Sequence, residues 1–250
     1  MSAQTLPAAQ TEERTSSVQQ LSPEVLAEYY RALEALVTED DEPVDNLFSE
    51  RQQRLLADAL ETSWSHPRFG KRFLAAVNVG VFYALDQPAV VPDLLLSIGI
   101  EPHRSAVKKE EKSYFIWVYG KPPELVVEIV SNTRGNELGQ KADLYGWMRV
   151  RYYVVYDPQR LLGAEGLHVL ENTLMGWQPM PGRWLQGLNL GVTLWQGVYG
   201  GMEATWLRWC DAAGRVLPTG QERAELERQR AERLAAKLRA LGVNPDDLAD

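Results

Sequence analysis

Apolar positions along this chain keep one period up to about residue 60 and another beyond residue 73, and the change separates helical from strand-rich parts. Leu26, Tyr29, Tyr30, Leu33, Leu36 and Val37 recur at helical spacing behind Ser22 and Pro23, an N-cap followed by proline at the first helical position. The spacing predicts a helix there. A second helix is predicted near Ser49, where Ser49-x-x-Gln52 reads as a capping box and Leu55, Leu56, Ala59 and Leu60 supply the buried stripe. Between them, the acidic stretch 38–45 with Pro43 reads as a solvated loop.

Further on, residues 73–83 and 89–97 are apolar, β-branched or aromatic runs separated by Asp86-Gln87-Pro88, which predicts strand, turn, strand. Residues 101–112 are charged and read as an exposed loop. The runs 113–119 and 124–131 predict two more strands around Gly120-Lys121-Pro122-Pro123; the second is so continuously apolar that it reads as buried on both faces. Glu128 inside it is conspicuous. A polar loop at 132–137, a helix over 138–148 and a strand over 151–156, closed by Asp157-Pro158, then complete a βαβ unit with a right-handed crossover. Residues 166–217 predict short strands and a last hairpin, 205–217, turning at Ala212-Ala213-Gly214.

The predicted architecture is α/β: a tail without hydrophobic period at 1–21, expected to be disordered, a domain at 22–217 with a mixed sheet flanked by helices, and a C-terminal helix at 218–250. In that helix Ala224, Glu227, Ala231, Leu234, Leu238 and Leu241 alternate in steps of three and four, which fits a short coiled coil and equally a lone solvated helix.

Composition removes several functions. No apolar run approaches the roughly 20 residues of a membrane span, and the polar N-terminus lacks a signal-peptide core, so a cytoplasmic protein is expected. One cysteine, Cys210, forms no internal disulfide, and three histidines without ligand spacing speak against zinc. A net charge of −8 argues against nucleic acid at face value, but 12 acidic against 4 basic residues fall in 1–60, whereas 101–160 holds 10 basic and 8 acidic. A nucleic-acid surface over the middle stays open. Residues 135–141 contain no phosphate-binding P-loop spacing, and no Gly-x-Ser-x-Gly elbow occurs. Trp195, Tyr199, Trp206 and Trp209, at strand spacing, read as core rather than as a base-stacking platform.

Two carboxylates carry the chemistry that remains. Asp93, in Val90-Val91-Pro92-Asp93-Leu94, and Glu128 both sit in apolar strand sequence, where an ionised carboxylate needs a partner. On neighbouring strands they would converge and offer the hard oxygen ligands that magnesium prefers. Either alone reads first as a satisfied strand-end residue; the two together favour a site. Lys141 and Tyr145 share a face of the following helix, and a βα connection brings its start over the carboxyl end of the Glu128 strand.

Pro92-Asp93, Glu128-Ile129-Val130-Ser131, Lys141-x-x-x-Tyr145 and the run from Tyr153 to Pro158 together resemble the Uma-two family of endonucleases, over roughly residues 47–158. The resemblance implies the restriction-endonuclease-like fold of PD-(D/E)XK nucleases, DNA as the partner, and magnesium (or manganese) held by Asp93, Glu128 and the Ile129 carbonyl. Where those nucleases place a lysine two residues after the glutamate, this chain has Val130, and Lys141 looks like that lysine moved onto the helix. Glu50, Ser131 and Tyr145 are further candidates; Glu50 stands where a further acidic ligand often lies, and is equally explained by the helix dipole. The alternative is a non-catalytic interaction protein of the same fold that assembles, as a homo-oligomer, through its C-terminal helix.

Overall fold

Helix caps and prolines decide where the first elements begin. In a computed structural model, which describes residues 22–35, 46–101, 112–131, 136–241 and 244, α1 (Pro23–Ala35) starts as predicted, with the Ser22 hydroxyl accepting the Val25 N–H. Helix α2 (Leu47–Ser63) starts earlier than Ser49, because the Asn46 side chain takes the capping role and accepts the Ser49 N–H at 2.9 Å. The expected Ser49–Gln52 box does not form. Gln52 is buried, and its amide instead exchanges two 2.9 Å hydrogen bonds with the main chain of Leu207.

The expected strand 73–83 is broken into β1 (Phe73–Val77) and β2 (Val81–Phe82), with Asn78 between them at a left-handed φ of 51°. Strand β3 (Leu94–Ile98) begins later than the expected residue 89, beyond Pro92, which has no N–H to give a ladder. The run 113–119 is not one strand either. Two residues form β4 (Tyr114–Phe115), paired in parallel only with β2, and the chain then coils into α3 (Ile116–Tyr119), which stacks the Tyr114 and Tyr119 rings 4.3 Å apart. Gly120, at φ 73°, ends that turn.

Strand β5 (Leu125–Ile129) is followed by a π-helical turn, Glu137–Lys141, then α4 (Ala142–Trp147) and β6 (Tyr152–Tyr156). With β7 (Leu167–Thr173) and β8 (Gly176–Pro179) these strands make a mixed sheet in the order β1-β3-β5-β6-β7-β8. Its parallel pair is β5–β6, the predicted βαβ unit. A second, antiparallel sheet holds β9 (Trp184–Leu185), β10 (Leu190–Tyr199) and β11 (Met202–Cys210). The last hairpin is therefore not 205–217: β11 pairs with β10 around Gly200-Gly201, both at positive φ, and the Asp211–Gly214 turn adds one bridge, Cys210 to Val216.

Both faces of the large sheet are covered, as the continuous apolar run of β5 requires. Leu125, Val127 and Ile129 face α2 and the second sheet, meeting Leu56, Leu60 and Trp209, while Val126 and Val130 face α4 with Tyr145, Tyr153 and Val155. Alternation puts Glu128 on the α4 face. Helix α5 (Gly220–Ala240) opens on a capping box of Thr219 and Glu222 and buries none of its residues. Among the described residues no helix is long and apolar enough to cross a membrane. The tail 1–21, the loop 38–45, residues 102–111 of the charged loop and 132–135 of the polar loop lie outside the described residues.

Candidate metal centre

Asp93 and Glu128 meet at one end of the mixed sheet. Antiparallel pairing sets Leu94 opposite Val127, so one step further Asp93 stands opposite Glu128. Asp93 is half-buried and just precedes β3, outside the strand interior where its sequence context puts it. Its Oδ2 accepts the Ile129 N–H at 2.6 Å and its Oδ1 accepts Gln53 Nε2 at 2.5 Å. Continued two steps past Leu94–Val127, the register would bring Pro92 opposite Ile129. Proline has no N–H to donate there, which spares the Ile129 carbonyl its usual ladder partner.

Glu128 is buried, and both of its oxygens are engaged from the crossover: Lys141 Nζ donates to Oε2 at 2.9 Å and the Tyr145 hydroxyl to Oε1 at 2.7 Å. The π turn makes this possible. At Gly139 (φ −115°, ψ −111°) the chain leaves helical geometry, and a β-carbon there would lie 2.1 Å from the Asn136 side-chain oxygen, so glycine permits the kink that carries Lys141 back over the strand end. Burial pushes the Glu128 carboxyl up to about 7, a lift that Lys141 opposes and the Asp93 charge reinforces. Lys141 pays some desolvation of its own, yet the Glu128 carboxylate outweighs it and holds the ammonium above its ordinary value.

The structure thus brings together Asp93, Glu128, Ile129, Lys141 and Tyr145. Ser131 stands half-buried two residues beyond β5. Glu50 does not join them: it pairs with Arg54 on the surface of α2, and among the described residues no three His, Cys, Asp or Glu side chains gather as a metal site. From α2 it is Gln53 that reaches the site, exchanging hydrogen bonds with Asn78 (3.0 and 3.1 Å) while it holds Asp93. Glu137 also escapes a reading of the sequence. It is buried one turn before Lys141, its Oε2 has no hydrogen-bond partner among the described residues, and its charge adds to the stabilisation of the Lys141 ammonium.

Two carboxylates and a main-chain carbonyl form a hard oxygen set of the kind magnesium or manganese completes with water, so these residues fit a divalent cation. A mixed sheet that aligns such carboxylates on neighbouring strands, with a lysine from the crossover on one of them, is the restriction-endonuclease-like class of α/β fold. The chain belongs to the Uma2 family: the family model, described as "Putative restriction endonuclease", matches residues 40–169, just over half of its length. No curated protein matches it.

Proposed function

We propose that the protein is a divalent-metal-dependent endonuclease that hydrolyses phosphodiester bonds of DNA. One observation carries the reading: Asp93, just ahead of β3, accepts the Ile129 N–H next to Glu128 at the end of β5, and Lys141 reaches Glu128 at 2.9 Å. Asp93, Glu128 and the Ile129 carbonyl would hold magnesium or manganese. Such an ion, when bound, polarises the phosphate and lowers the pKa of an attacking water. Gln53 and the Ile129 N–H fix the orientation of the Asp93 carboxylate. Lys141, which donates to Glu128 at 2.9 Å, would orient the water or an anionic phosphate oxygen.

The test is a magnesium and manganese titration with cleavage of single- and double-stranded DNA measured in parallel. Asp93→Asn keeps an oxygen for the Ile129 N–H while removing the charge, and is expected to abolish cleavage in a folded protein. Lys141→Ala is expected to lower the rate by about 10²- to 10⁴-fold with metal affinity nearly unchanged. Wild-type cleavage by the Asp93→Asn variant would sink the assignment. A wild-type chain that binds no divalent cation would favour the non-catalytic reading instead.

A further inference from the structure

Next to the carboxylates, at the same end of the sheet, the first half of β7 faces a groove. Strand β8 pairs only with Leu170–Thr173, so beyond them the outer edge of β7 is uncovered save for the Met180 N–H on the Val169 carbonyl. The cavity along this edge has a volume of about 540 Å³ and is lined by Leu167, His168, Pro179, Pro181, Arg160 and Arg183 among others.

Its position ties it to the metal centre. Register runs from Glu128 to Val155 to His168, so His168 lies on the Glu128 face two strand spacings away, roughly 10 Å. That is about three phosphates along the axis of one nucleic-acid strand, at ~3.4 Å each. Charge points the same way. In a chain of net charge −8, neither Arg160 nor Arg183 pairs with a carboxylate among the described residues, and both are exposed. Among the described residues Glu165 is the one carboxylate in the lining, 3.8 Å from His168 Nδ1, and the buried Nε2 of that histidine has no partner.

The loop that presents Arg160 is tied down at both ends. The Asp157 carboxylate accepts the Leu162 N–H at 2.7 Å, the Asp157 carbonyl accepts the Arg160 N–H, and the Gly166 carbonyl accepts the Asp157 N–H. These bonds hold Arg160 at φ 55°, and a turn on Met180 holds Arg183 at φ 51°, left-handed geometry that arginine adopts only under constraint. A peptide strand fits the groove less well, since the free edge is short and the prolines opposite offer no N–H.

We infer that this groove binds the backbone phosphates of the DNA strand flanking the scissile bond, through Arg160 and Arg183. The inference rests on the nuclease reading above, and the test separates the two. Binding of a fluorescein-labelled 20-base-pair duplex is measured by anisotropy in EDTA over a salt series, for wild type and for Arg160→Asn/Arg183→Asn, asparagine being chosen because it tolerates positive φ. Circular dichroism checks that the variant is folded. The double variant is expected to bind at least tenfold more weakly and to lose about two from the slope of log affinity against log salt. Arg230→Ala/Arg233→Ala, which removes equal charge from α5, is expected to bind as wild type. Manganese-dependent hydrolysis of bis(p-nitrophenyl) phosphate, too small to reach the groove, is expected to be unchanged. Wild-type slope and affinity in the groove variant would overturn the groove, as would absent wild-type binding or equal loss in the α5 control. A wild-type protein inert toward the small diester overturns the nuclease reading while the binding result still decides the groove.

Discussion

Enclosing the Glu128 carboxyl between β5 and α4 removes it from water, and that burial raises its proton affinity. A carboxyl whose folded pKa lies above its unfolded value contributes stability that is fully present below the unfolded value and is lost as pH rises through the folded one. For Glu128 that window runs from about 4.5 to about 7. In EDTA, wild type is therefore expected to lose about 2 kcal/mol between pH 5 and pH 8 relative to Glu128→Gln. Lys141, held above its already high ordinary value, does not titrate in the window. Urea denaturation of both proteins at the two pH values measures the difference, and parallel pH dependences would mean that the carboxyl is solvated. Asp93, Glu128 and Lys141 are legible in the sequence because a charge in an apolar run is costly wherever it is buried, and because strand and helix spacing aims them at one end. Gln53 is not legible: a glutamine on an amphipathic helix carries no signal of its own, and its partner is 40 residues away. Glu137 is hidden for a related reason, since a first-turn glutamate is the ordinary complement of a helix dipole.

Elements whose type follows from one strong local cause are read correctly, and those whose limits depend on distant partners are not. Strand β5 is announced by its continuous apolar run, and α5 by the three-and-four spacing from Ala224 to Leu241; its Thr219–Glu222 capping box is seen only in the structure. The aromatic run 113–119 has strand composition, yet only two of its residues find a partner, and ring stacking decides the rest. In α5 the exposed stem and the anchored base have different consequences. Arg208, buried beneath the helix, donates to both Glu222 oxygens (3.0 and 2.6 Å) and to the Leu217 carbonyl, and Gly220 N–H meets the Asp58 carboxylate. Truncation after Ala224 keeps these contacts and is expected to leave thermal stability within about 0.5 kcal/mol. Truncation after Pro218 strips Arg208 of Glu222 and is expected to cost about 2–3 kcal/mol, below the roughly 3–5 kcal/mol of a fully buried broken pair because Glu222 is 39% exposed. Calorimetry on the two truncations distinguishes them; equal losses would place the stabilising contacts further along the helix. Light scattering on the shorter deletion also tests the coiled coil, since an unchanged oligomer would exclude pairing through the stem.

At the scale of the whole molecule, a two-carboxylate centre couples stability to the cation it would hold. Without an ion, the Asp93 charge works against ionisation of Glu128, and folding sets the two side by side. An ion that binds only the folded state relieves that repulsion and stabilises by mass action, by about 2.7 kcal/mol at a free concentration 100 times its dissociation constant. For a chain of this size the gain corresponds to roughly 5–10 °C in Tm. The molecule's acidity complicates the reading, because a net charge of −8 attracts divalent cations diffusely. Site-specific stabilisation is therefore expected to vanish in Asp93→Asn, which lowers that charge by one, and to persist in Lys141→Ala, which makes the site more negative. Diffuse binding would instead give both variants nearly the wild-type shift. Differential scanning fluorimetry with manganese at constant ionic strength makes the comparison, and a wild-type shift retained by Asp93→Asn would place the cation elsewhere on the molecule.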